Sequence, residues 1–582
     1  MLTLKKLKPY QFKIILSLFY AFVSYLYIRP FYKTGMLFSG DDLSFHLNRI
    51  EEIYQSILHG SYIPNVNIYT FNQVGDGVNF FYPWMTIYPF AILRFIVHNP
   101  VNSIYTGLWI LTLLTFIISY YSMEKFCRSR LQSVIFSLVY TLSMYRALDI
   151  FKRFDLGESI AIAFLPVVFL GIYCSLYGDY KKWYYLTVGM VGLIYSHLLS
   201  SIIVVVFIIF IIALSWTQLN SKLLRFKWLI LSIFLTVMTT SIFWGPFIEQ
   251  YLGTRTNKPY IGDLLTKSLR LNDVVNLSFS NTFWPFNLGI FLGITLLLGW
   301  IFFKNFSRIY INIYLLSILT LILSSNFFPW KLFQNTPINI IQFPWRLLTL
   351  TDLFLAAYCS KICVTLIQKT REKKINSAFI IFLTIFLPII FYYSSAQSFE
   401  RSVQNQSLLN FKPSQNHTIY PYKIDSKNYH FQFFYYWTPG NQDYFPINSI
   451  EFIELYRSIM THRTFINGKS STINPRQNDN SLVYSINHVK KGDSIDLPFL
   501  AYKNYQLKIN NQVLKYEVSH RGTIKTSALG ENNKITVKYE PSIIDKLSLW
   551  TTVTTYIVLM LIFITKRIPF ISSWRSHRSK TI

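Results

Sequence analysis

Residues 1–42 read MLTLKKLKPYQFKIILSLFYAFVSYLYIRPFYKTGMLFSGDD: a basic start, an apolar run and then an acidic pair. The run at residues 12–30 is about the length that crosses a bilayer as a helix. No small-residue cleavage site follows the basic cluster at residues 5–13, so an uncleaved first span is expected. Beyond it, Asp41 and Asp42 stand at the bilayer surface. There, the charged groups of a membrane protein do chemistry or binding more often than packing.

The rest of the chain repeats the first part of this pattern. Its 582 residues are 52% apolar, 18% aromatic and only 14% charged, too apolar for a soluble protein and too long for one domain. Lys and Arg number 55 against 27 Asp and Glu, but the basic residues collect in short segments between apolar runs. Cytoplasmic loops retain Lys and Arg, so the excess reads as topology. Nucleic acid is not an expected partner, because binding it needs an extended basic, aromatic-studded soluble surface.

Basic clusters lie at residues 5–13, 125–130, 181–182, 222–227, 304–308, 369–374 and 566–580. If all are cytoplasmic, each interval between them crosses the bilayer an even number of times. Twelve spans follow, at 12–30, 103–122, 131–146, 157–177, 183–196, 198–215, 228–246, 286–303, 309–324, 347–366, 376–394 and 548–565. The run 79–97 would break the parity and contains Pro83, Pro89 and Arg94, so it is read as re-entrant or interfacial. Residues 31–102, 147–156, 247–285, 325–346 and 395–547 then share the non-cytoplasmic face. The four cysteines, Cys127, Cys174, Cys359 and Cys363, fall at or near the other side, so no disulfide framework is expected outside.

The expected architecture is a polytopic α-helical membrane protein of about 12 transmembrane helices with a C-terminal extracytoplasmic β-sandwich. Residues 1–394 form the transmembrane domain, with the acidic pair in outer loop 31–102. Residues 395–547 form the β-rich domain, and 548–582 the last helix and a basic cytoplasmic tail. Period-two runs at Ile495-Asp496-Leu497-Pro498, Tyr505-Gln506-Leu507-Lys508-Ile509, Val513-Leu514-Lys515-Tyr516-Glu517-Val518 and Lys534-Ile535-Thr536-Val537-Lys538-Tyr539 carry the sandwich reading. Turn residues Asn510-Asn511, Arg521-Gly522 and Gly530-Glu531-Asn532-Asn533 separate them. The aromatic residues between Tyr429 and Phe445 suit either sugar stacking or core packing.

From Asp42 to His59, Leu43, Leu47, Ile50, Tyr54, Ile57 and Leu58 recur at helical spacing until Gly60 and Pro64 end the run. This predicts an amphipathic helix able to lie on the membrane surface. Asp42, His46 and Arg49, at i, i+4 and i+7, share another face. Asp41 or Asp42 then either caps the helix or serves as a general base or as a hold on a phosphate-bound divalent ion. In the next loop Arg146, Lys152 and Arg153 stand beside Asp149, Asp155 and Glu158. They make either a salt-bridged cap over two helices or a phosphate grip. His197, at the turn of a short hairpin, is a helix-end residue or a site residue. Pro344 suits the first turn of a span, which places Arg346 where it snorkels or binds an anionic head group.

Taken together, Gly40-Asp41-Asp42, Arg153 with Leu156-Gly157-Glu158, Ser196-His197-Leu198-Leu199-Ser200, Phe328-Pro329-Trp330 and Gln342-Phe343-Pro344-Trp345-Arg346 carry a resemblance. The chain resembles bacterial membrane proteins labelled 6-pyruvoyl-tetrahydropterin synthase-related, close to the YfhO-type members of the C-type (GT-C) glycosyltransferase superfamily. The resemblance covers nearly the whole chain, and the Gln-Phe-Pro-Trp-Arg run is its most specific piece. Pterin chemistry is not expected: that synthase is a small soluble enzyme with a three-histidine zinc site, and the ten histidines here include no His-x-His pair.

The superfamily implies transfer of a sugar, with inversion, from a polyprenyl-phosphate donor to a cell-envelope glycopolymer or glycolipid at the outer face of the bacterial cytoplasmic membrane. Carried onto this chain, Asp41 or Asp42 is the general base, and Arg346, then Arg153 and His197, stabilise the lipid-phosphate leaving group. His46, Arg49, Glu158, Gln342 and Trp345 complete the substrate-binding set, membrane lipid is a further partner, and a divalent cation, Mg or Mn, is the one admissible cofactor. Asp155 departs from the expected small or neutral residue, and its charge would weaken a phosphate pocket. A transporter of lipid-linked saccharides would instead place ionisable groups near the midplane, whereas the candidates here gather at the outer edge. An assembly scaffold without catalysis would leave the acidic pair dispensable.

Overall fold

The computed structural model describes residues 8–38, 40–372, 377–404, 423–434 and 442–578. Among the described residues, seven helices are long and apolar enough to cross a membrane: Tyr10–Tyr32, Pro100–Cys127, Leu156–Leu176, Leu198–Gln218, Pro344–Thr370, Ser377–Gln404 and Ile543–Thr565. Two further segments qualify only as bent pairs, Arg130–Thr141 with Met144–Arg153 at 40°, and Lys222–Thr239 with Ser241–Gly253 at 73°. At the sharper bend, Thr236, Thr239 and Thr240 turn their hydroxyls back onto carbonyls of the preceding turn, an arrangement that bends helices. The expected spans at 183–196, 286–303 and 309–324 are shorter helices, Tyr184–Ser196, Gly289–Asn305 and Arg308–Ser324. Length and apolarity therefore single out seven spans, or nine with the bent pairs, of the twelve expected. The chain is a multi-pass helical membrane protein with a β-rich C-terminal region.

That region holds two five-stranded antiparallel sheets. One runs in the order Glu517–Val518, Thr523–Ser527, Ser494–Leu500, Arg463–Ile466, Lys469–Thr472. The other runs Arg476–Asn478, Ser481–Ile486, Asn533–Tyr539, Tyr505–Ile509, Gln512–Leu514. Alternate residues of both, among them Leu482, Tyr484, Leu507, Val537, Leu497, Phe499 and Ile524, pack into one core. The turn between Tyr505–Ile509 and Gln512–Leu514 puts Asn510 and Asn511 at φ 49° and 70°, which suits the twist of a hairpin. The expected continuous strand 513–518 is split: Gln512–Leu514 joins one sheet and Glu517–Val518 the other. The expected boundary at 395 falls inside the Ser377–Gln404 helix. Tyr429 and Phe433 pack in the helical core and Phe445 in the β core, while residues 435–441 of that aromatic stretch lie outside the described residues.

The Leu43–Leu58 helix corrects the sequence reading. It does not lie on a surface, because Leu43 through Ile53 are all buried. Its polar residues have internal partners that periodicity cannot reveal. Glu52 accepts the backbone N–H groups of Ile68, Tyr69 and Thr70 at 2.8, 3.0 and 2.9 Å, and Asn48 Oδ1 accepts that of Phe71 at 2.8 Å. The chain that follows enters the β core through Val66, Ile68, Tyr69, Val74, Phe80 and Phe81. Leu500 N–H donates to the Val74 carbonyl at 2.8 Å, and a Cβ on Gly75 would lie 2.5 Å from the Phe499 ring.

Candidate active site

Asp42 begins the Leu43–Leu58 helix, but its side chain makes no capping hydrogen bond. Its backbone N–H donates to the Arg153 carbonyl at 2.9 Å. A Cβ on Gly40 would lie 2.6 Å from the Lys152 carbonyl oxygen and 2.7 Å from that of Arg153, so only glycine lets the two loops meet. The Gly-Asp-Asp run is thus docked on the loop that carries Arg153. Asp42 Oδ2 stands 3.9 Å from Arg153 Nη2 with 40% of its side chain exposed, and Asp41 is exposed. Withdrawal from water and then the Asp155 carboxylate raise the Asp42 carboxyl above the usual aspartate range, while Arg153 and Arg346 pull it down.

Arg153 closes the π-helical turn Asp149–Arg153 and is buried. Its guanidinium donates to Asp149, to Glu158 Oε2 at 3.0 Å and to Asp155 Oδ2 at 3.0 Å, and lies over the Trp345 ring at 4.4 Å. Asp155 also caps the Leu156–Leu176 helix by accepting the Glu158 N–H at 2.9 Å. Tyr145 donates to Glu158 Oε1 at 2.5 Å and Ser159 to Asp149 Oδ2 at 2.7 Å. Asp155 is therefore no repulsive intruder: it is both cap and counter-charge. Burial opposes its ionisation, but His197, His46 and Arg153 hold its carboxyl well below the usual range.

Asp149, Asp155 and Glu158 bring carboxylate oxygens within 4.8 Å of one another, close enough to share a divalent ion. Arg153 already pairs with all three. A metal would have to displace a buried guanidinium, so these residues do not fit a resident cation.

Two buried histidines flank the cluster. His46 Nε2 stands 3.8 Å from Asp155 Oδ1 and its Nδ1 has no hydrogen-bond partner; burial pushes it down to about 4. His197, likewise lowered by burial, pairs its Nδ1 with Ser200 Oγ at 2.7 Å. The Tyr82 ring lies 5.9 Å from each imidazole, and its hydroxyl sits where a Cβ on Gly157 would come within 2.1 Å. The glycine of Leu-Gly-Glu thus makes room for a tyrosine from a distant loop.

Arg346 completes the set. Its Nη1 donates to Gln342 Oε1 and to the Ile341 carbonyl at 3.3 Å. Its Nε lies 3.6 Å from Glu158 Oε2, is buried and has no hydrogen-bond partner. Trp345 is stacked between Phe343 at 5.1 Å and Phe286 at 4.5 Å. The fold therefore gathers Asp42, His46, Arg153, Glu158, His197, Gln342, Trp345 and Arg346. It excludes Arg49, whose guanidinium donates to the carbonyls of Tyr82 at 3.1 Å and Pro83 at 2.5 Å and stacks on Tyr82; that residue braces a turn. Tyr82 and Tyr145 join unforeseen, and nothing local marks Tyr82; Asp149 joins as one of the loop acids that the sequence sets beside Arg153.

Beneath the cluster, Glu158, Ser200, Arg346 and Thr349 line a small cleft. Its apolar walls, Leu165, Val204 and Leu350, also bound a larger, apolar cavity. That cavity passes between the Leu156–Leu176, Leu198–Ser215, Arg308–Ser324 and Leu348–Glu372 helices to Phe126, Tyr173 and Tyr177. From Glu158 to Tyr177 the bounding helix rises about 30 Å, the thickness of a bilayer core. In comparisons with known proteins, no family model, no curated protein and no solved structure matches the chain.

Proposed function

We propose that the protein is a membrane glycosyltransferase of the GT-C type, moving a sugar from a polyprenyl-phosphate carrier to a cell-envelope polymer or lipid at the outer face of the bacterial cytoplasmic membrane. One observation carries this reading: a cluster of cations and carboxylates adjoins a cleft whose apolar walls, Leu165, Val204 and Leu350, also bound an apolar cavity between four membrane helices. A lipid phosphate has the same two-part character. Its tail fits among Leu165, Phe169, Phe207 and Phe354, and its head meets Arg346, whose Nε has an unused donor. With the basic clusters on the cytoplasmic side, as the sequence leads us to expect, that head and the β-rich region would face outside the cell.

Chemically, the acceptor hydroxyl attacks the anomeric carbon from the side away from the phosphate. Asp42 takes the hydroxyl proton, and its raised carboxyl makes it a stronger base than a free aspartate. The sugar–oxygen bond to phosphate breaks with its electron pair on the phosphate, where Arg346 meets the developing charge. Arg153, saturated by three carboxylates, positions rather than binds. His197 orients the Ser200 hydroxyl toward the cleft. No metal enters the sequence of steps.

Membranes holding either wild-type or Asp42→Asn protein, given labelled polyprenyl-phosphate sugars, test this. Transfer to envelope material should fall by about 10²–10⁴-fold while insertion and abundance hold. Undiminished transfer in Asp42→Asn, Asp41→Asn and the double variant would remove the base and the reading with it. The apolar cavity also suits a carrier of lipid-linked saccharides that does no chemistry. Saturable binding of the lipid by wild-type protein, with no sugar ever transferred, would select that alternative.

A further inference from the structure

The Leu348–Glu372 helix buries a carboxylate that the site above does not use. Asp352 is 1% exposed, and among the described residues neither of its oxygens has a hydrogen-bond partner. No cation pairs with it either: the buried Arg146 on the neighbouring bent helix turns to the Thr141 carbonyl and to the Thr112 and Thr115 hydroxyls instead. A bare carboxylate inside a membrane-spanning helix is costly and needs a positive charge or a proton.

The surroundings are shaped for one. Asp352 faces Ser143, at the break of the Arg130–Thr141 and Met144–Arg153 pair, and Ser143 caps the second half without using its side chain. One turn before Asp352, the buried Thr349 Oγ1 also lacks a partner, and Thr349 lines the cleft below Arg346. A broken helix, nearby hydroxyls and an acid without a counter-charge are features that hold small cations in membranes. The titratable neighbour Tyr140 is engaged elsewhere, donating to the Ile162 carbonyl.

We propose that Asp352, with Ser143 and Thr349, binds one small monovalent cation inside the membrane region, either a proton or a Na⁺ that displaces it. The binding does not depend on glycosyl transfer. Loading would set the helix whose first turn carries Arg346, about 9 Å away along the axis.

Thermal unfolding of the full-length protein in detergent tests the idea, with NaCl, KCl or N-methylglucamine chloride as the salt at several pH values. A Na⁺ site predicts saturable stabilisation by NaCl alone, with a half-saturating concentration that drops about tenfold per pH unit as the competing proton leaves. A proton-only site predicts a salt-independent loss of stability as pH rises. Asp352→Asn should abolish whichever dependence is seen, and Thr349→Val should weaken the Na⁺ form. If Asp352→Asn does not fold, infrared spectra of the wild type decide: a protonated carboxyl band that vanishes with Na⁺ or alkali supports the site. Identical melting in all salts and pH values, with no such titrating band, overturns it.

Discussion

Two buried arginines separate the molecule's framework from its working part. In the β region Arg521 faces one carboxylate, Asp496, at 2.8 and 3.0 Å. Its remaining donors meet Ser458 Oγ and the carbonyls of Arg463, Asp496 and Leu497. Charge balances charge, and every nitrogen is occupied. Arg153 instead carries three carboxylates in contact and Asp42 at 3.9 Å, while His46 Nδ1 and Arg346 Nε close by are left unpartnered. Buried polar groups are as a rule hydrogen-bonded, and a cluster with more carboxylates than cations and open donors beside it is a candidate for binding or chemistry.

The contrast can be broken most forcefully on the saturated side. Asp496→Ala strands the Arg521 charge in the core, so the β region should lose about 3–5 kcal/mol. Hydrogen exchange in Ser494–Leu500 and Thr523–Ser527 of the full-length protein would report it, with transfer by the folded fraction unchanged. Arg346→Lys keeps the charge but removes the forked donors; a charged hydrogen bond of about 1.5–3 kcal/mol corresponds to a roughly tenfold to hundredfold fall in kcat with little change in melting.

A third variant acts on titration. Because partial withdrawal from water and the Asp155 carboxylate raise Asp42, and it must be ionised to accept a proton, activity should fail on the acid side at a pH above the ordinary aspartate value of about 4. Asp155→Asn removes the negative neighbour, so the acid limb of the rate profile should move down by on the order of one pH unit; Arg153→Gln removes a cation and should move it up. The smallest effect belongs to an exposed pair, Lys525 and Glu517 at 3.6 Å. Glu517→Gln should alter stability by no more than about 0.5 kcal/mol in the same exchange experiment.

Much of the site was legible because its residues sit in short runs with their own local logic. Gly40-Asp41-Asp42, Leu156-Gly157-Glu158 and Gln342-Phe343-Pro344-Trp345-Arg346 stand out in the sequence alone, and they converge in the fold. What escaped depends on partners far away in the chain. Asp155 reads as surplus charge until Arg153 folds over it, and Arg49 reads as a ligand until it meets the carbonyls of Tyr82 and Pro83. Spacing predicted the Leu43–Leu58 helix but set its polar face toward water, since nothing near Glu52 announces that three backbone N–H groups from residues 68–70 will come to it. The sheets were recognised by alternation, yet the run 513–518 divides between them, because a period of two cannot tell one sheet from its neighbour.

Gly75, lodged under Phe499, has a mechanical consequence. The chain from the Leu43–Leu58 helix to Phe81 joins the acidic pair at one end to the β core at the other. A force on the sheets is therefore carried along one stretch of chain to Asp42.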